Sequence, residues 1–182
     1  MTTNAITISL AEIREQSPCA VGWRKVLAAK GGKDADMEAR FPLADIIETN
    51  SLDDCLWAMR CRPEYNNLWR KYAVWCARQV EHLMTDDRSK SALNVAWRHS
   101  DGLATDEELA AGGGAARAAA RATGGGAAWA ATSAATSAAG SSAGSSAARA
   151  AGRASAWDVA RATAWAAQKQ KLIEILNAGE WV

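Results

Sequence analysis

Apolar residues recur at steps of three and four through the first hundred positions of the chain and nowhere alternate with polar ones over the length of a strand. That period predicts helices and no sheet. The clearest case begins at Pro63, where Leu68, Tyr72, Trp75, Cys76, Gln79, Val80 and Leu83 share one face and Arg70, Lys71, Arg78 and Glu81 lie elsewhere around the wheel. The apolar face is assigned to the core, with Trp57, Tyr72, Trp75 and Trp97 as its aromatic centre. Start and stop signals divide the rest. Ser9 and Glu12 form a capping box, and Pro18 suits the first turn of a second helix that carries Val21, Trp23, Val26 and Leu27 and ends at Gly31-Gly32. Residues 33–40 are charged and read as a loop or a ragged turn of helix. Phe41-Pro42 opens a segment with Leu43, Ile46 and Ile47. Ser51 caps the next helix, LDDCLWAMRC, which stops before Arg62-Pro63 because proline forces its predecessor out of helical geometry. Asp86-Asp87 cap a helix carrying Ala92, Leu93, Ala96 and Trp97 that ends near Asp101-Gly102, and Thr105 with Glu108 forms a second capping box.

After Thr105 the alphabet changes to Ala, Gly, Ser and Thr, punctuated every four residues: Arg117, Arg121, Gly125, Trp129, then serines, then Arg149, Arg153, Trp157, Arg161, Trp165 and Lys169. The position before each is small or Thr from Ala116 to Ala164. A period of four stays close to the 3.6 residues of a helical turn, so these small residues form one slowly drifting face along which two backbones can approach closely. Ala favours the helix, whereas each interior Gly costs roughly 1 kcal/mol relative to Ala. The triplets Gly112–Gly114 and Gly124–Gly126 therefore either break the helix or are offset by close packing. The unbroken register of Arg117, Arg121, Gly125 and Trp129 favours a helix through both. Gly140-Ser-Ser-Ala-Gly144 is the best hairpin point, and a second long helix runs from about Ala147 to Leu176, ending with Asn177-Ala-Gly179; its last turns, with Leu172, Ile173, Ile175 and Leu176, are apolar enough to dock on the N-terminal half. The competing reading is low-complexity disorder, against which the regular spacing stands. The fold class is all-α: a compact bundle of short helices over residues 1–104, followed over 105–182 by long Ala-rich helices packed closely as an antiparallel hairpin, in a single domain.

Charge changes the picture little. The net charge is +1, but between 109 and 173 Arg117, Arg121, Arg149, Arg153, Arg161, Lys169 and Lys171 are set against Asp158 alone. That is too sparse for a nucleic-acid groove. Nine Trp against one Phe and two Tyr mean that Trp supplies most of the large apolar contact. No apolar run is long enough to span a bilayer and the first residues lack a signal-peptide pattern, so the expected location is the cytoplasm and the four cysteines are expected to be free thiols.

Candidate chemistry is thin. Cys55 and Cys61, and likewise Cys76 and His82, are six apart, about 240° around a helix, and do not converge on one metal ion. Neither histidine has a readable carboxylate partner, and Asp53-Asp54 and Asp86-Asp87 stand where helices start. The Gly triplets lack the preceding strand and following Lys of a phosphate loop. The expectation is a protein without catalytic residues, metal or cofactor. On an Ala background few side chains project far, and Trp and Arg dominate binding hot spots, so Arg117, Arg121, Trp129, Arg149 and Arg153 are the expected partner-binding residues.

The order of features, LDDCLWAMRC, then RKYAVWCARQV, then DGLATDEELAAG, resembles the Ala-rich immunity-protein family of bacterial polymorphic-toxin systems, whose members also occur in phages and prophages. The resemblance runs from about Ser17 to Leu176, and Gly triplets and Ser blocks depart from the family pattern. It implies a non-enzymatic inhibitor that binds and neutralises a partner protein, either a toxin or, in a phage-encoded variant such as an anti-CRISPR protein, a host defence component. Two other classes compete: a nucleic-acid binder using the repeat's Arg and Trp, and an ice-binding helix, for which only Thr132 and Thr136 keep a suitable spacing. No membrane partner is expected.

Overall fold

The computed structural model describes residues 4–123 and 159–182. Among them the protein is all-α apart from one two-stranded sheet, and it divides into two compact units, Met1–Glu64 with Lys169–Val182, and Tyr65–Gln168.

The first unit holds β1 (Thr7–Ile8), α1 (Leu10–Glu15), α2 (Ala20–Ala29), β2 (Phe41–Pro42), α3 (Asp45–Thr49), α4 (Leu52–Ala58) and the C-terminal part of α8 (Val159–Ala178). Its caps are those the sequence predicts. Ser9 Oγ accepts the Glu12 N–H at 3.3 Å while Glu12 Oε2 accepts the Ser9 N–H at 2.8 Å, and Ser51 Oγ accepts the Asp54 N–H at 3.1 Å. The start of α2 is a correction. Pro18 precedes the helix, and the Cys19 sulfur serves as the acceptor for the Gly22 N–H at 3.3 Å, satisfying a donor that the first turn leaves open. The sheet is a second correction. Phe41-Pro42 opens no helix but pairs antiparallel with Thr7-Ile8, and Ile6 extends the ladder by accepting from the Leu43 N–H and donating to the Leu176 carbonyl, each at 2.8 Å. Two residues per strand leave no alternation to read. Leu172, Ile175 and Leu176 are fully buried, so the apolar end of α8 docks as expected, and it joins a core containing Ile6, Ile8, Leu43 and Cys55.

The helix stops at Gly179, whose φ of +72° suits glycine and whose N–H returns to the Ile175 carbonyl at 2.9 Å. A Cβ at this position would overlap the Asn4 carbonyl oxygen. This close approach seals the chain's first described residues against its last helix.

The second unit contains α5 (Asn66–Arg78), α6 (Asp87–Ser100), α7 (Asp106–Thr123) and the N-terminal part of α8. Contacts at constant residue sum show that neighbours run antiparallel. Lys71 meets Asp101 and Arg78 meets Asn94 between α5 and α6, while His99 meets Asp106 and Gly112 faces Ala92 between α6 and α7. On α5, Leu68, Trp69, Arg70, Tyr72, Ala73, Val74, Cys76 and Ala77 are all buried, which leaves Asn66 at the start and the narrow strip of Asn67, Lys71, Trp75 and Arg78 towards solvent. Arg70 is therefore part of the interior, contrary to the wheel reading. Gln79 is exposed because the helix ends one residue before it, and Leu83 is half-buried in a following 3-10 turn. A helix covered on most sides defeats a one-face assignment.

Helix α7 runs unbroken through Gly112–Gly114. Its positions Gly113, Ala116 and Ala119 are buried, and Gly112 faces Ala92 and Val95 of α6. Small faces on both helices bring the backbones together, and this close packing offsets the helical cost of glycine. Among the described residues α7 packs against α6; the expected antiparallel pairing with a second Ala-rich helix involves residues outside them. The second Gly triplet, the Gly140–Gly144 turn and the start expected for the last helix near Ala147 lie outside the described residues. At its other end, that helix stops at Ala178 as read.

Candidate functional site

Of the five expected partner-binding residues, Arg117 is exposed on α7 and Arg121 lies one turn further along the same helix, whereas Trp129, Arg149 and Arg153 lie outside the described residues. From Ala110 to Ala119 every other side chain is Ala or absent, so Arg117 alone reaches out from this stretch. It makes no ion pair among the described residues.

A second surface comes from residues assigned to the core. Trp57, Trp75 and Trp97 are half-buried, Trp57 in the first unit and the others in the second; of these four core assignments only Tyr72 is sealed, and among the described residues the buried Trp is Trp69, which the wheel did not single out. The reason is geometric. Trp75 lies on the one open strip of α5 with Lys71 and Arg78, at i, i+4 and i+7, and that strip borders the flank of α6 carrying Asn94, Trp97 and Asp101. The Lys71 ammonium lies 5.5 Å from the Trp97 ring centre and the Arg78 guanidinium 5.3 Å, within cation–π range. Trp75 stacks on Tyr72 at 6.4 Å between ring centres. Lys71 is neutralised by Asp101 at 2.5 Å, and Arg78 donates to the Asn94 amide oxygen at 3.0 Å. The spacing of Lys71, Trp75 and Arg78 was a readable signal, hidden by assigning Trp75 to the apolar face.

Other polar side chains form local pairs, whereas the buried Ser89 hydroxyl and Gln168 side-chain amide have no hydrogen-bond partner among the described residues. At the α6–α7 turn His99 Nε2 meets Asp106 Oδ1 at 2.8 Å and Arg98 approaches Glu108 at 3.9 Å. Arg70 sits buried nearby; desolvation lowers its affinity for a proton and the Asp106 charge partly restores it. In the first unit, Arg40 donates to Thr7 and to Glu12, clasping the two strands to α1. A groove of about 430 Å³ between α3 and α8 is lined by Ala44, Asp45, Glu48, Thr49, Ile173 and Asn177. Its two carboxylates are held by Lys30 at 2.7 Å and Lys169 at 2.8 Å, and the Thr49 hydroxyl is engaged with the Asp45 carbonyl and Asn50.

The four cysteines are free thiols in four environments. Cys19 is exposed. Burial raises Cys61 to about 11 and Cys76 to about 12, and pushes Cys55 further up with help from the Asp54 charge. Protonated thiols of this kind are poor nucleophiles and poor metal ligands at neutral pH. Among the described residues no group of three His, Cys, Asp or Glu side chains is placed to hold a metal ion, and no helix is long and apolar enough to cross a membrane. Among the described residues of the second unit, the exposed cations without an ion pair are thus Arg117 and Arg78, the latter between two half-buried indoles. No family model, curated protein or solved structure matches the chain.

Proposed function

We propose that this chain is a non-enzymatic helical interaction protein of the cytoplasm that binds a partner protein and neutralises it. One observation carries the reading: the second unit presents Trp75, Trp97, Lys71 and Arg78 on one face and Arg117 from an Ala and Gly surface, which is the composition of binding hot spots on a rigid support. Half-buried indoles are well suited to such a role, since they are already ordered and lose little rotamer freedom on binding. The resemblance to the Ala-rich immunity-protein family points the same way and suggests a toxin as the target. A phage-encoded counter-defence protein would dock by the same physics on a host defence component.

The test is affinity capture from the native host, with and without a co-resident toxin system or phage, followed by a binding titration of the captured protein. Replacing Arg117, Arg121, Arg149 and Arg153 by Ala should abolish binding while the melting temperature stays nearly unchanged. Undiminished binding moves the interface off these residues. A nucleic acid captured in place of a protein, with affinity falling steeply as salt rises, overturns the reading.

A further inference from the structure

We infer that the α5–α6 face receives a carboxylate-bearing segment of a partner protein, with Arg78 as the cation that takes the carboxylate. The inference rests on the protein-binding function proposed above and names the chemistry of the partner at that surface.

Arg78 differs from the other solvent-reaching cations of this helix pair, Arg70 being buried. Lys71 is paired with Asp101 at 2.5 Å, Arg88 with Asp86 at 2.6 Å, Lys90 with Asp87 at 3.5 Å and Arg98 with Glu108 at 3.9 Å. Arg78 is exposed and is held only by neutral groups, the Asn94 amide oxygen at 3.0 Å and the Trp97 ring at 5.3 Å; among the described residues no carboxylate pairs with it. Neutral anchors orient a guanidinium without cancelling its charge. A guanidinium has five N–H donors and Asn94 uses one, so a fork remains for a carboxylate. Because the side chain is already placed, little of its rotamer entropy remains to be lost on binding.

The surroundings select a protein carboxylate over a nucleic-acid phosphate. Two cations, Lys71 and Arg78, already interact with the Trp97 ring, which leaves it poorly placed to stack a base. One unpaired arginine is also a small electrostatic footprint for a polyanion. Trp75, half-buried one turn before Arg78 on the same strip, offers apolar surface beside the charge. The fitting occupant is therefore an Asp or Glu next to an apolar side chain in a partner protein.

The experiment uses the full chain labelled with fluorotryptophan, its resonances assigned by single Trp→Phe substitutions. Three probes are titrated: a short peptide of Glu and Leu, the same peptide with Gln for Glu, and a single-stranded oligonucleotide. The Glu peptide should move the Trp75 and Trp97 resonances and leave Trp57 in place, with the Gln peptide about tenfold weaker. Arg78→Gln should weaken the Glu peptide by about the same factor, whereas Arg88→Gln should leave it unchanged. Arg78→Lys, which keeps the charge without the fork, should fall between, and an otherwise unaltered spectrum in each variant shows that the fold is intact. Equal response to the Glu and Gln peptides, indifference to Arg78→Gln, or a larger response of the same two resonances to the oligonucleotide overturns the inference. So does undiminished binding of the captured natural partner by Arg78→Gln, and that last result leaves the broader protein-binding reading standing.

Discussion

The Gly112–Gly114 triplet gives the sharpest test of how the Ala-rich helix is built, because opposite outcomes are expected at one position. In α7 a Cβ on Gly112 would lie 3.6 Å from the Ala92 Cα and 3.7 Å from the Val95 Cβ, ordinary contact distances, and a Cβ on Gly114 would meet nothing within 4 Å. Neither residue has a positive φ. Each Gly→Ala change therefore removes unfolded-state freedom and helix-propensity cost without a clash, and should stabilise by about 0.4–1 kcal/mol. Gly112→Leu is different. Its branched end has no space between α7 and the Ala92 backbone, so overpacking should cost about 1–3 kcal/mol. Urea unfolding of the three variants reads the sign directly, and a melting shift of about 2–4 °C per kcal/mol accompanies it for a chain of this size. If Gly114→Ala destabilises, the helix does not pass through the triplet. A neutral Gly112→Leu would refute close packing of α7 on α6.

Gly179→Ala should destabilise by more than the roughly 1–2 kcal/mol of a left-handed backbone alone, because its Cβ also overlaps the Asn4 carbonyl oxygen; calorimetry checks this, and a stable variant would detach the end of α8 from the N-terminal segment. Ser51→Ala should cost about 1 kcal/mol through loss of the α4 cap, with Ser51→Thr largely restoring it. Thiol labelling of the native protein should modify Cys19 first and Cys61 slowly, with Cys55 and Cys76 reacting only as fast as the protein opens. The same two buried thiols make the protein alkali-sensitive. Their folded pKa values are raised, so their contribution is intact below the unfolded value near 8.5 and is lost above it, at about 1.4 kcal/mol per pH unit per thiol until the folded value is reached. Denaturation at pH 7.5 and pH 10 measures the loss, and Cys76→Ala should flatten the slope.

Local signals with a strong mechanism carried over from sequence to structure. The boxes at Ser9–Glu12 and Thr105–Glu108, the Ser51 and Asp86 caps and the stop at Gly179 each depend on a side chain or backbone preference acting within a few residues. Burial was less legible. The exposure of Trp75 and Trp97 and the sealing of Trp69 and Arg70 depend on which faces of α5 meet other helices, and a helical wheel holds no information about how many neighbours a helix has. The small-residue period from Ala116 onward was visible in the sequence, but the close approach of Gly112 to α6 was not: Ala92 and Val95 lie in a segment of ordinary composition. For the same reason Arg117 could be placed on the surface, while Arg78 gains its character only from Asn94 and Trp97 across the helix pair.

The most direct test of the central claim, that the second unit's Trp and Arg surface is the docking face, is hydroxyl-radical footprinting of the protein alone and with its captured partner. Oxidation of Trp75 and Trp97 should fall several-fold in the complex, with Arg78→Gln relieving the protection, while Trp57 and Trp23 of the first unit stay equally reactive. Protection of Trp57 or Trp23 with Trp75 and Trp97 unchanged would contradict it.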